Sequence, residues 1–361
     1  MVVGDDGALP LPWLAAPLAA ALEGPRSHRG HALLVQGDPG SGSLAFALTL
    51  AQAWLCERAG QGEREHLAGP RPCGRCGSCR LVQAHLHPDL VVLLPEMLRR
   101  EHGWPLATDK PEGDEAKRKP SRQIRIDEVR LLIDWATRTS GRGRGKVAVL
   151  HPAEALNPQS ANALLKTLEE PAPGTRLLLT CVDPEPLLPT VRSRCQRLRL
   201  AAPAPEVAER WLQAQGLAEP RVLLAACSGR PLDALALVQG GVDAAAWAAL
   251  PAAVARGQPA AFAGWPLARL LQALQRLCHD AWLLSCGAEP RYFPPGSVPA
   301  GASPAGLQAW SAELARVQRV ADHPWHEALL VEALVRSGAD ALSRPRPAAR
   351  GGNTRFATLP A

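Results

Sequence analysis

Three thiols stand close together in the stretch CGRCGSC, at Cys73, Cys76 and Cys79. Two residues separate each neighbouring pair, the spacing that lets thiolates converge on one Zn2+. A tetrahedral site takes a fourth ligand. Cys56, closing the helical stretch AWLCERAG, is the expected one, with His66, His85 and His87 as nearby competitors. No open ligand position and no adjacent general base accompany these thiols, so the expected zinc is structural rather than catalytic.

A second stretch, GDPGSGSLAF, follows the apolar run HALLVQ. Gly37 and Gly42 have the four-residue separation of a phosphate-binding loop, whose amides cradle phosphates while a following lysine and hydroxyl neutralise charge and hold Mg2+. Here the next two residues are Ser43 and Leu44, so the loop shape is kept and its chemistry is not. Taken alone, the stretch is equally compatible with a glycine-rich strand-to-helix turn. Nucleotide hydrolysis also needs acidic residues at the end of a neighbouring strand. The run KVAVL meets His151 and Pro152 there, and neither supplies a carboxylate.

Charge is distributed unusually around SANALLKTLEEPAPGT, where Glu169 and Glu170 fall at the end of a predicted helix that Pro171 stops. The helix macrodipole disfavours negative charge at that end, so either a compensating group comes from outside the helix or, as is commoner, the two glutamates are simply solvated at the surface. Shortly afterwards TVRSRCQRLRL gathers Arg192, Arg194, Arg197 and Arg199 at the exit from the last predicted strand. From the residues alone this is either a solvated basic patch or a site for an anion.

The elements that must position these groups follow from periodicity. HALLVQ, DLVVLLP, KVAVLH and RLLLTCV are short apolar runs bounded by Gly, Pro or charge, as strands buried on both faces are, and helical patterns lie between them. This predicts an α/β domain with a parallel sheet over about residues 1–200. Within it, a cysteine module covers about 56–79, and the charged, proline-bearing stretch 96–121 is expected to be a mobile insertion with no core. From PAPEVAERWLQAQGL onward strands give way to short helices, predicting a small helical domain over 201–242. Helical spacing continues with Leu267, Leu270, Leu271, Leu274, Leu277 and Ala281, then Leu307, Trp310, Leu314 and Val317, then Trp325, Leu329, Leu330 and Leu334. These stripes predict a helical bundle over 243–343, followed by a flexible Pro, Gly and Arg-rich tail at 344–361.

Composition sets the class. With 361 residues and 47% hydrophobic content the chain is long enough for two or three cores. It has no apolar run of about 18 residues and no basic region followed by an apolar segment, so neither a membrane span nor a secretory signal is expected. Nine cysteines, an odd number, then fit reduced thiols and metal binding in the cytoplasm better than disulfides. Forty Lys and Arg against 34 Asp and Glu suit a nucleic-acid neighbour, although an arginine-rich background weakens that signal.

NPQSANALLKTLEEP, the SRC of Ser193 to Cys195, and a cysteine cluster inserted after a phosphate-loop position together resemble the clamp-loader branch of the AAA+ family, the branch that serves bacterial DNA polymerase III. The resemblance runs over roughly residues 25–240. It implies a AAA+ P-loop-type domain, a small helical lid at 201–242 and a helical collar at 243–343. Gamma and tau, the family's ATP-binding subunits, carry the lysine, the acidic pair and a later sensor arginine. This chain has Ser43, His151 with Pro152, and Leu232 in SGRPLDALAL at those places. Sixteen residues lie between Cys56 and Cys73, more than the family's usual interval.

What the resemblance implies is a rigid stator subunit that binds no ATP and presents Arg194 in trans to ATP on a neighbouring gamma or tau subunit. Its partners would be gamma or tau and delta, with the sliding clamp and primed DNA reached through the complex, which is itself part of a DNA polymerase. Two other classes stay open at this point: an active gamma-type ATPase with an unconventional loop, and a zinc-dependent DNA-binding protein. Nucleotide binding by the isolated chain separates the first, and tight DNA affinity without partners the second.

Overall fold

The structure, a computed structural model, describes residues 2–23, 30–58, 72–105, 120–321 and 325–343. These group into two compact units, Met1–Trp211 with Arg230–Leu232, and Leu212–Gly229 with Asp233–Ala361. Among the described residues no single helix is long and apolar enough to cross a membrane.

In the first unit the chain runs α1 (Ala15–Glu23), β1 (Ala32–Gly37), α2 (Ser43–Leu55), α3 (Gly77–Gln83), β2 (Leu90–Leu93), α4 (Glu96–His102), α5 (Ile126–Thr137), β3 (Lys146–Leu150), α6 (Pro158–Glu169), β4 (Thr175–Cys181), α7 (Pro189–Arg192) and β5 (Gln196–Leu200). All strand pairs are parallel and the order is β2-β3-β4-β1-β5. The strands read as apolar runs because both faces are covered. Along β1, Leu33 and Val35 join the cluster containing α2, whereas Ala32 and Leu34 join the one containing Leu164 and Leu168 of α6.

Four of the five strands coincide with the apolar runs seen in the sequence. β5 does not, since its sequence QRLRL alternates: Leu198 and Leu200 pack inward while Arg197 and Arg199 are exposed. Half-polar alternation is what an edge strand with one wet side shows, and among the described residues β5 pairs with β1 alone. Arg194 therefore precedes the closing strand, and Arg197 and Arg199 lie within it, rather than all crowding the exit from the last strand.

The stretch 96–121 also departs from expectation. It opens with α4, whose Glu96 is buried, and Trp104 just beyond it joins the core beneath the sheet. Glu96 accepts from Arg100 at 2.7 Å and from the Ser121 amide at 3.0 Å, which ties the two ends of the stretch together. Charge masked these contacts in the sequence. Residues 106–119 lie outside the described residues, as do His66 and the tail 344–361.

Beyond β5 the chain is helical: α8 (Pro205–Ala214), α9 (Pro220–Ala226), α10 (Pro231–Gln239), α11 (Ala244–Ala255), α12 (Leu267–Ser285), α13 (Pro304–Arg319) and α14 (Glu327–Leu342). By contact, residues 201–211 and Arg230–Leu232 group with the sheet, whereas Leu212–Gly229 and the chain from Asp233 onward group with the later helices. In α12 and α13 the expected leucine and tryptophan stripes are buried, apart from a half-exposed Leu267.

α14 turns a different face inward. Leu329 is 62% exposed, and the buried positions are Leu334, Val335, Gly338, Ala341 and Leu342. Gly338 makes this possible, since a Cβ there would stand 2.7 Å from both Trp310 Cζ2 and Val254 Cγ1. A glycine mid-helix costs about 1 kcal/mol against alanine, so it is kept here for close helix approach.

Asp280 is the buried anchor of this second unit. Fully enclosed on α12, it accepts from the amides of Arg291 (2.9 Å), Tyr292 (2.8 Å) and Phe293 (2.9 Å). The loop it holds stacks Phe293 on Trp247 of α11, with ring centroids 4.7 Å apart.

Candidate functional site

The structure gathers four cysteines whose sulfurs all lie within 4.8 Å of one another: Cys56 at the C-cap of α2, Cys73 in the following loop, Cys76 at the N-cap of α3 and Cys79 inside it. Sulfur separations are 3.6 Å for Cys56 and Cys73, 3.9 Å for Cys73 and Cys79, and 3.9 Å for Cys76 and Cys56. Four sulfurs placed tetrahedrally at about 2.3 Å from one Zn2+ would stand about 3.8 Å apart, so the donor set fits that ion. Cys56 and Cys79 are fully buried.

The hydrogen bond with Cys79 holds the Cys56 thiol down to about 4, and that same bond pushes the Cys79 thiol up. Four thiols this close cannot all ionise unless a cation sits among them. The cluster can therefore hold a metal ion.

Two of the three histidine competitors are engaged elsewhere, and His66 lies outside the described residues. His85 stacks on Trp104 with centroids 3.9 Å apart, and His87 Nδ1 accepts from the Asp89 amide at 3.0 Å. Around the cluster, Arg142 donates to Glu57 Oε1 at 2.6 Å and to Ser78 Oγ at 2.9 Å, while Ser78 donates its amide to the same carboxylate at 3.0 Å. Arg142, by this hydrogen bond above all, holds the Glu57 carboxyl below the usual range. This bracket joins the cysteine module to the loop before β3, and nothing in local spacing announces it.

The glycine loop between β1 and α2 is present, with Gly42 in the left-handed region at φ 92° as N-cap of α2. Its surroundings are apolar. Leu11 Cδ1 lies 2.3 Å from where a Cβ on Gly42 would stand, and Leu232 Cδ1 lies 3.8 Å from that point. Leu11, Leu44 and Leu200 are buried in one cluster, with Leu232 packed against it. Trp13 Nε1 donates to the Ser41 carbonyl at 2.7 Å and packs edge-on against Trp211. Leu232 thus reaches the loop where the family's sensor arginine is expected, and it brings a hydrocarbon. The roles of Leu11 and Trp13 were not legible in the sequence, because the segment before α1 has no periodicity.

At the end of β3, His151 Nδ1 lies 2.6 Å from Thr180 Oγ1 of β4. Burial, aided by the charge of His102, lowers its pKa to about 4, so the ring is neutral at pH 7. A neutral imidazole and a proline leave no anion to hold Mg2+. Glu154, the next carboxylate along the chain, accepts from the amides of Val182 (2.6 Å) and Asp183 (3.0 Å) and so caps the exit of β4.

Arg194 lies between α7 and β5. Its neighbour Cys195 is buried in the core with Val191, and burial pushes that thiol up to about 12. An inward Cys195 turns Arg194 outward, where its side chain is 32% exposed. Arg194 Nε donates to Glu169 Oε1 at 2.7 Å, Nη2 pairs with the same oxygen, and Nη1 donates to the Thr190 carbonyl at 2.9 Å. The compensating group beside the last residue of α6 is therefore Arg194. Arg192 pairs with Glu185 at 2.6 Å. The sequence cluster thus divides into one arginine held by the helix end, one paired locally and two on the sheet edge.

A five-stranded parallel sheet in the order β2-β3-β4-β1-β5, with a glycine loop between the interior strand β1 and the following helix, is the arrangement of a AAA+ P-loop-type domain. A family profile described as DNA polymerase III, delta subunit, matches residues 21–204. The chain belongs to the family of delta-prime subunits of the DNA polymerase III clamp loader.

Among its relatives, DNA polymerase III subunit delta-prime of Pseudomonas aeruginosa is 37% identical over 235 residues, 64% of this chain and 62% of that protein. The Escherichia coli K12 delta-prime subunit is 33% identical over 286 residues, 73% of this chain and 76% of that protein. The tau subunit of Escherichia coli is 31% identical over 201 residues, 56% of this chain and 25% of tau. The match thus spans 62% of the length of the Pseudomonas relative.

Proposed function

We propose that this chain is the stator of a replicative clamp loader: it binds no ATP, assembles with gamma or tau and delta subunits in the cytoplasm, and presents Arg194 to ATP held by a neighbouring gamma or tau subunit. The observation that carries the first part is the apolar seat of the glycine loop, where Leu11 and Leu232 stand against Gly42 and Ser43 replaces the lysine. Neutral His151 with Pro152 supports it independently, because Mg2+ finds no carboxylate at the end of β3.

The second part rests on chemistry. An arginine supplied from outside stabilises charge on the γ-phosphoryl oxygens and can raise hydrolysis by about 10³ to 10⁵. Its planar fork suits two phosphate oxygens better than a lysine does. Sliding clamp and primed DNA are then engaged through the complex. Cys56, Cys73, Cys76 and Cys79 would hold a structural Zn2+, which would tie the loop after α2 to α3.

Titration calorimetry of the purified chain with ATP and Mg2+ tests the silent site, with no binding expected; micromolar affinity would replace this reading by an active gamma-type ATPase. In the loader reconstituted with gamma or tau and delta from the same genome, Arg194→Ala is expected to assemble normally and to lower the ATPase rate stimulated by clamp and DNA. Arg197→Ala and Arg199→Ala are the basic-patch controls, which should alter only DNA affinity and its salt dependence. Normal clamp loading by the Arg194 variant, or equal behaviour of all three, would end the assignment.

A further inference from the structure

We infer that Glu169 is the positioning residue for Arg194, holding its guanidinium so that the end of the fork faces out of the domain. The inference rests on the reading of Arg194 as a group offered in trans. A guanidinium has five N–H bonds fixed in one plane. In Arg194 the Nε edge is spent on Glu169 Oε1, at 2.7 Å from Nε and with Nη2 on the same oxygen. One Nη1 hydrogen goes to the Thr190 carbonyl at 2.9 Å, with Ser193 Oγ a weak competitor at 3.3 Å. What remains is the far end of the fork, on Nη1 and Nη2, the edge that can meet two oxygens of one phosphate.

Both supports of this arrangement are rigid. Glu169 ends α6, which the fully buried Leu164 and the nearly buried Leu168 fix against the sheet. Thr190 lies in α7, one turn before the arginine, and Cys195 is anchored in the core directly after it. A long side chain without such supports samples many rotamers and loses them only on binding. The carboxylate in turn gains from the pairing, because the negative end of the α6 macrodipole disfavours its charge. Glu169 is 47% exposed and Arg194 32%, so the pair lies at the surface where a neighbouring subunit can reach the fork.

In the step served, a water oxygen bonds to the γ-phosphorus while its proton passes to solvent, and the β–γ bridging oxygen leaves with ADP. Charge grows on the phosphoryl and bridging oxygens. A fork already aimed needs no search at that moment, so Glu169 acts on turnover rather than on ATP affinity.

The test is a double-mutant cycle in the reconstituted loader, reading kcat and KM of the ATPase stimulated by clamp and primed DNA for Glu169→Ala, Arg194→Ala and the double variant. Glu169→Ala should lower kcat by roughly a factor of 3 or more at unchanged KM, the loss expected when a catalytic group is left unaimed. It should add nothing in the Arg194→Ala background, since the two act as one unit. Glu169→Gln, which keeps the acceptor oxygen, should recover part of the rate. Melting temperature and assembly on gel filtration serve as checks that all variants fold.

If Arg194→Ala is impaired while Glu169→Ala turns over normally, the positioning role is wrong and the trans arginine stands. If Arg194→Ala itself turns over normally, the underlying reading fails first. Additive losses would mark Glu169 as merely structural. A faster Glu169→Ala would mean that the carboxylate restrains the arginine, which also overturns the inference.

Discussion

Replacing Asp280 by alanine should loosen the second unit more than any other single side-chain truncation on α12. The carboxylate is fully enclosed and receives three amides, from Arg291, Tyr292 and Phe293, at 2.8–2.9 Å. Each hydrogen bond to a charged acceptor is worth about 1.5–3 kcal/mol, and that worth is lost in full where the orphaned amide stays buried away from water. Arg291 is exposed, so water can satisfy its amide; Phe293 is buried and Tyr292 half-buried, so theirs are harder to replace. Two losses in full give about 3–6 kcal/mol. For a unit of this size that lowers the melting temperature by roughly 6–24 °C.

Asp280→Asn separates charge from shape. A carboxamide offers one acceptor oxygen, which can serve the Tyr292 and Phe293 amides while its NH2 group opposes that of Arg291, at a cost of about 1–3 kcal/mol. Hydrogen exchange read by mass spectrometry over 288–295 reports the loop directly, and a thermal melt reports the unit. The reasoning is refuted if Asp280→Ala melts within 2 °C of wild type, a shift below about 1 kcal/mol, with amide protection in that loop unchanged.

Gly338→Ala gains about 1 kcal/mol of helix propensity but forces a methyl to 2.7 Å from Trp310 and Val254, an overpacking cost of about 1–3 kcal/mol, so a net loss of stability is expected in urea unfolding; a gain would show that the helices do not approach so closely. His151 is neutral when folded down to about pH 4, whereas the unfolded ring takes its proton near 6.5. Its contribution, at most about 3 kcal/mol, is therefore full above pH 6.5 and lost as pH falls through 4, and His151→Gln should flatten that part of a stability profile. Metal analysis should find one zinc per chain when no chelator is used, with Cys56→Ser reducing it and chelation lowering the melting temperature. Content below about half an equivalent in the wild-type chain would count against the four-cysteine site, and unchanged content in the Cys56 variant would move the fourth ligand elsewhere.

The parts of the fold legible in the sequence were those where one physical demand dominates. β1, β3 and β4 are apolar on both faces and could be little else, and the thiol spacing around Cys76 announced its own geometry. Glu169 was readable as an anomaly, a carboxylate at the wrong end of a dipole, although its partner was not. What stayed hidden needed contacts between segments far apart. β5 is an edge strand, so three of its five residues are arginine or glutamine. α4 looked like linker because Glu96 and Arg100 satisfy each other. On α14 the apolar stripe read from Leu329 and Leu330 gave way to the face that Gly338 opens, since a missing side chain leaves no trace in a hydrophobic pattern. Leu11 and Trp13 could be placed only by seeing which loop they cover.

The parallel sheet sets a waiting time during synthesis. β1 lies inside the sheet next to the edge strand β5, and its hydrogen-bonding partners are β4 and β5 alone, with Leu34 beside Leu179 and Val35 beside Leu198. A ribosome adding about 5–20 residues per second needs roughly 10–30 seconds to travel from Val35 to Leu198. Until β4 is made, which is most of that interval, one of the most apolar segments of the chain has no strand on either side, and until β5 is made it lacks one of the two. The cysteine cluster is complete far sooner, at Cys79, so metal capture can fix α2 and α3 while the centre of the sheet is still unmade. Newly made chains should therefore be most exposed to aggregation, and most in need of chaperones, between the emergence of β1 and that of β5.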